Sequence, residues 1–116
     1  MRYMLLIFGD EQAAMQATAE QRGQQGMAYE AFTQSIRRSG SFLDGDPFQP
    51  RASATTVRVR DGKRETDSGP VDPSSEQLLA YYKVEAGTLD EAVEMASRIP
   101  GAHYGSIEVR PVLQSD

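Results

Sequence analysis

The run RYMLLIF, Arg2–Phe8, restricts the fold of this chain more than any other stretch. Successive side chains of a strand point to opposite faces. Here both faces are apolar: Tyr3, Leu5 and Ile7 on one, Met4, Leu6 and Phe8 on the other. Such a strand sits inside a sheet whose two faces are both covered, so it is placed centrally with a layer on each side. The means are limited. The chain has 7 Leu, 4 Ile, 7 Val and 4 Phe among 116 residues, enough for one modest core. A single domain over residues 1–116 is expected, with a second copy of the chain completing the burial.

Composition removes several classes of function. There is no Cys, so disulfides, thiol nucleophiles and cysteine-ligated metals are excluded. A net charge of −5 argues against nucleic acid as the partner. The apolar run at the start is too short for a signal sequence or a membrane span. A cytoplasmic location with no membrane association is the expected default. No cofactor is expected either. The glycines fit neither a P-loop nor a dinucleotide fingerprint, and a single histidine, His103, cannot build a His-rich metal site.

After Gly9-Asp10, Thr18 opens TAEQ, a capping box closed by Gln21. The spacing predicts a helix to about Ser39, with Ala28, Ala31, Phe32, Ser35 and Ile36 near one face. Gly23 and Gly26 each cost about 1 kcal/mol relative to Ala, so the firm part should begin near Met27. Arg37 and Arg38 suit the helix C-terminus and Gly40 the position after it. SFLDGDPFQP reads as a short strand and a proline-bounded loop. ATTVRVRDGKRETD is a hairpin in which Asp61-Gly62 suits a two-residue type I′ turn. That turn sets Arg60 against Lys63, Val59 against Arg64 and Arg58 against Glu65, with Val57 and Val59 facing inward.

LLAYYKVE is a further strand, with Leu78, Ala80, Tyr82 and Val84 on one face and Leu79, Tyr81 and Lys83 on the other. TLDE opens a second helix at Thr88, with a stripe of Leu89, Ala92, Val93, Ala96 and Ile99 ended by Pro100-Gly101. GSIEVRPV is the last strand, Ile107 and Val109 facing in. This order predicts an α+β sandwich of ferredoxin-like type, mainly antiparallel, with two helices on one face. The other face would be bare, and dimerisation through the sheet covers it.

Five segments, in this order, carry a resemblance: RYMLLIFGDE, ATTVRVRDGK, the Gly69-Pro70 loop, EQLLAYYKVE and GSIEVRPV. Together they resemble the YCII-related family and, within it, the DGPF branch. The resemblance implies a ferredoxin-like subunit, a homodimer of the dimeric α+β barrel type and a small-molecule pocket beside Thr66–Val71. Some family members have been proposed as enzymes on the basis of an acid and a histidine near that pocket. DGPF members are often linked with extracytoplasmic-function sigma factors. Two functions follow. One is a small-molecule-binding dimer with weak or vestigial acid/base activity. The other is a non-catalytic regulatory partner in sigma-factor-dependent transcription.

The chain departs from the family pattern. Counting from Gly69-Pro70, the family's Asp falls on Ser68 and its Phe on Val71, while an acid stands one position early, at Asp67. One step along a strand turns a side chain to the opposite face, so Asp67 takes over only through a bulge or a slip. Pro73 and Ser75 replace the family's following acid and lysine, and Glu76 is kept.

Asp67 and His103 are the candidate catalytic residues, as general acid or base. The plainer readings are a turn acid and a loop histidine. Ser68, Gly69, Pro70, Glu76, Tyr81, Arg58 and Arg110 are the candidate ligand-binding residues. The arginines suit a small anionic ligand held by bidentate contacts, and otherwise form ion pairs across solvated strands. Tyr81, Tyr82 and Tyr104 could line a pocket or simply pack. Asp44 and Asp46 in LDGDP lack the spacing of a calcium loop and read as a turn. These residues are compatible with an enzyme and with a binder.

Overall fold

The computed structural model describes residues 1–114 of the chain. The elements are β1 (Arg2–Asp10), α1 (Glu11–Met15), α2 (Ala19–Arg38), β2 (Phe42–Pro47), β3 (Thr55–Arg60), β4 (Lys63–Ser68), β5 (Glu76–Glu85), α3 (Leu89–Ser97) and β6 (Ser106–Pro111). Single 3-10 turns occupy Arg51–Ser53 and Pro100–His103. β2, β5, β1 and β6 form one antiparallel sheet in that order, with β1 inside as its sequence requires. The architecture is α+β and compatible with a ferredoxin-like fold.

One core lies between sheet and helices. Tyr3, Leu5 and Ile7 of β1 and Tyr82 and Val84 of β5 meet Phe32 and Ile36 of α2 and Ala92, Met95 and Ala96 of α3. Leu5, Ile36, Val84 and Ile99 are fully buried, each contributing roughly 1.5–3 kcal/mol. The opposite sheet face carries Met4, Leu6 and Phe8, and none of the three is fully buried. Beside them on that face stand Tyr81 and Lys83 of β5 and Glu108 and Arg110 of β6.

Local signals set the helix ends. Thr18 Oγ1 accepts from Gln21 N and Gln21 Oε1 accepts from Thr18 N, the complete capping box. At the other end Gly40 has φ +79°, Ser41 N donates to Ile36 O and Gly40 N to Arg37 O. This closes the helix as a Schellman motif. α2 is continuous from Ala19 despite Gly23 and Gly26, but only its second half packs: Phe32 and Ile36 are its buried residues. Ala28 and Ala31, expected near the packed face, are exposed. At α3 the box is displaced. Thr88 Oγ1 accepts from Glu91 N, whereas the Glu91 carboxylate accepts from Gly87 N, one residue early. Met95 joins the buried stripe, and Leu89 and Val93 lie outside it.

The strands bring further corrections. A bulge between Ile7 and Phe8 pairs Ile7 with Ala80 but Phe8 with Leu78. It moves Leu78 out of the core line and turns Gln77 inward, where it is buried. The hairpin register is as expected, with Arg60 opposite Lys63 and positive φ at Asp61 and Gly62. Yet β3 and β4 form a two-stranded sheet of their own, and Val57 and Val59 are 57% and 60% exposed rather than turned inward. Arg58 stands opposite Glu65 but forms its ion pair diagonally, with Asp67 at 3.1 Å.

Candidate functional site

The end of β1 and the start of β6 lie against the Pro100–His103 turn, and the start of β5 pairs with the end of β1. The turn is drawn tight: Tyr104 N and Gly105 N both donate to Gly101 O, and a Cβ on Gly105 would collide with the Phe8 carbonyl oxygen. Only glycine lets the turn lie against β1 here. Two cavities flank Tyr104, which lines both.

The smaller cavity, about 310 Å³, is lined by Asp10, Glu76, Ser75, Tyr104 and Ser106 with Gly9 and Gly105. Asp10 and Glu76 are register partners on adjacent strands. Asp10 Oδ1 also accepts from Gln12 N, capping α1. Among the described residues neither carboxylate forms an ion pair. Like charges opposite each other across strands are unfavourable, and here both carboxylates line the same cavity. The larger cavity, about 540 Å³, lies between α2 and the segment following α3. Phe32 forms part of its wall, with the Arg98 guanidinium 5.7 Å from the ring centroid. Arg98 also bonds Ser35 Oγ at 3.2 Å and pairs with Glu94 at 3.0 Å. His103 lines this cavity, its ring edge toward Tyr104 at 6.5 Å.

The candidate residues fall into four places. Asp67, Ser68 and Arg58 are on the hairpin, and Asp67, with its side chain 73% exposed, is bound to Arg58. Gly69 and Pro70 close the hairpin base. Gly69 has φ +110°, its N–H donates to Ala54 O, and its carbonyl accepts from Thr56 Oγ1. Glu76 and His103 line the two cavities around Tyr104, one on each side. Tyr81 and Arg110 lie on the open sheet face, Arg110 paired with Glu108. Asp67 therefore lines neither cavity, and the structure does not bring it to His103. Tyr82 belongs to the core, edge-on to Phe32 at 5.2 Å with its hydroxyl on Thr33 Oγ1.

Tyr81 donates to both Asp44 Oδ2 and Asp46 Oδ2 at 3.2 Å, and Phe48 stacks on its ring at 5.7 Å. Partial burial, followed by these two carboxylates, raises its phenol pKa and holds it protonated. Tyr29 is raised too, chiefly by burial and opposed by the hydrogen bond its oxygen accepts from Gly101 N. Among the described residues, no group of three or more acids or histidines is arranged to hold a metal ion. None of their helices is long and apolar enough to cross a membrane.

Asp10, Gln77, Arg98 and Gly105 escape a reading of the sequence. Gln77 Nε2 donates to Asp72 O and Ser74 O, so this buried amide staples the loop after the hairpin. Its signal, a long polar side chain at an inward position, appears only once the bulge is known. Asp10 reads as a strand terminator until the register places it opposite Glu76.

An uncharacterised protein of Rhizobium meliloti (strain 1021) is similar, 28% identical over 114 residues, a span covering 97% of this chain and 92% of the relative. The family model for the YCII-related domain matches residues 1–116, and the chain belongs to the YCII-related family.

Proposed function

We propose that this protein is a small-molecule-binding homodimer, of the DGPF type within its family, whose ligand sits around Tyr104. The carrying observation is the Asp10–Glu76 pair: two carboxylates in register that line one cavity and, among the described residues, form no ion pair. A polar or cationic group of the ligand fits that side, and the Arg98–His103 side suits an anionic group. Glu76 and His103 bound the ligand region. Asp67, exposed and bound to Arg58, favours vestigial over efficient acid/base chemistry. The open sheet face, with Met4, Leu6, Phe8 and Tyr81, supports pairing of two subunits through their sheets.

The test is amide-resolved NMR with a panel of small amines, amino acids and carboxylates. Binding should shift Asp10, Glu76, Tyr104 and Ser106 together. Shifts confined to the hairpin, or none at all, remove this reading. Glu76→Gln should also raise stability by about 0.2–1 kcal/mol in urea unfolding at pH 7, because it removes one of two like charges placed opposite each other in the strand register. The exposure of Asp67 favours the regulatory alternative over catalysis. That alternative requires a sigma factor to co-purify at fixed stoichiometry.

A further inference from the structure

The β3–β4 hairpin stands apart from the body. Beyond each other, neither strand packs substantially on any helix or strand among the described residues. The Cα radius of gyration is 16.1 Å, against roughly 13 Å for a compact chain of this length. A lone two-stranded ribbon is marginally stable in water, and both its outer edges are unpaired. This one is nonetheless held at its root. Arg51 N donates to Glu11 Oε2 at 2.8 Å, the Arg51 side chain reaches Ser74 O, and Gly69 ties back to Ala54 and Thr56. The direction of the arm is thus fixed while its length is unsupported.

The arm has a defined face. Val57 and Val59 point the same way, and the described residues leave more than half of each exposed. Its charge also differs from that of the body. Arg58, Arg60, Lys63 and Arg64 against Asp61, Glu65 and Asp67 make the arm +1, so the remainder of a −5 chain carries −6. The arm springs from the edge of the open sheet face: Phe48, stacked on Tyr81 there, is seven residues before Thr55.

We infer that the hairpin is an intermolecular arm whose Val57/Val59 face packs on the body of a second copy of this chain. A fixed root suits a symmetric assembly, in which each subunit gives an arm and receives one. The basic tip, Arg60, Lys63 and Arg64, meets an acidic body, which favours this pairing over a basic partner. The inference rests on the homodimer proposed above and adds a second contact to it.

The experiment mixes ¹³C-methyl-valine-labelled chain with unlabelled chain and records isotope-filtered NOEs, alongside sedimentation equilibrium of wild type and Val57→Lys/Val59→Lys. Expected are NOEs from the Val57 and Val59 methyls to the unlabelled chain and a dimer dissociation constant raised at least about tenfold in the variant. If the wild type dimerises but these methyls show contacts only within their own chain, the arm is overturned and sheet pairing stands. If the wild type is monomeric at every concentration, both fall. The filtered spectra use unmutated protein, so misfolding of the variant leaves the test intact.

Discussion

β1 and β3 are both strands of alternating side chains, and they end in opposite conditions. In β1 the odd residues Tyr3, Leu5 and Ile7 are buried under helices, and the strand has a hydrogen-bonded neighbour on each side. In β3 the odd residues Val57 and Val59 lie open, with β4 as the strand's single neighbour. Periodicity thus states which residues share a face. What covers that face is a separate matter, settled by where the rest of the chain goes.

The contrast can be broken first at its strongest point. Ile36→Ala in the body should cost about 2–5 kcal/mol by urea unfolding, because a fully buried side chain leaves a cavity. Val59→Ala should change the unfolding free energy of the isolated subunit by no more than about 0.5 kcal/mol. Equal losses would mean that the arm is packed as tightly as the core. Gln77→Ala comes next. It strips the carbonyls of Asp72 and Ser74 of a buried donor, and a loss of about 1–3 kcal/mol is expected. Faster hydrogen exchange in the loop after the hairpin should accompany it.

Smaller effects sharpen the view of the arm. The Arg58–Asp67 pair is exposed, so Asp67→Asn should shift stability by less than about 1 kcal/mol, and less still in high salt. A larger, salt-insensitive loss would show that the carboxylate is buried in the assembled protein. Tyr81 gives a pH test on the open face. Its folded-state pKa is raised, so its contribution to stability is complete below the ordinary tyrosine pKa and fades as pH rises through the raised value. Wild type should therefore lose stability more steeply than Tyr81→Phe above about pH 10. Parallel curves would mean that Asp44 and Asp46 do not act on the phenol in solution.

Much of the body is legible in the sequence because its signals are local. The Thr18 and Thr88 caps, the Gly40 terminus and the Asp61-Gly62 turn each rest on chemistry within a few residues, and each stands where expected. The site is far less legible. Glu76 could be named from the family pattern, but its partner Asp10 is 66 positions away and meets it only through strand register. A bulge at Ile7/Phe8 sets that register. No residue type announces it, since it reflects how two strands settle over a shared core.

The sequence by itself determined a central strand, two capped helices, a hairpin of known register and a chain without thiol chemistry. These follow from side-chain alternation, capping groups and turn residues, which act over a few ångströms along the chain. The tertiary structure alone decided that Gln77 turns inward, that Asp10 faces Glu76 beside Tyr104, and that the hairpin leaves the body with its valines bare. Each of these depends on elements distant in sequence sharing one space, and packing rather than local preference chooses among the arrangements that the local rules allow.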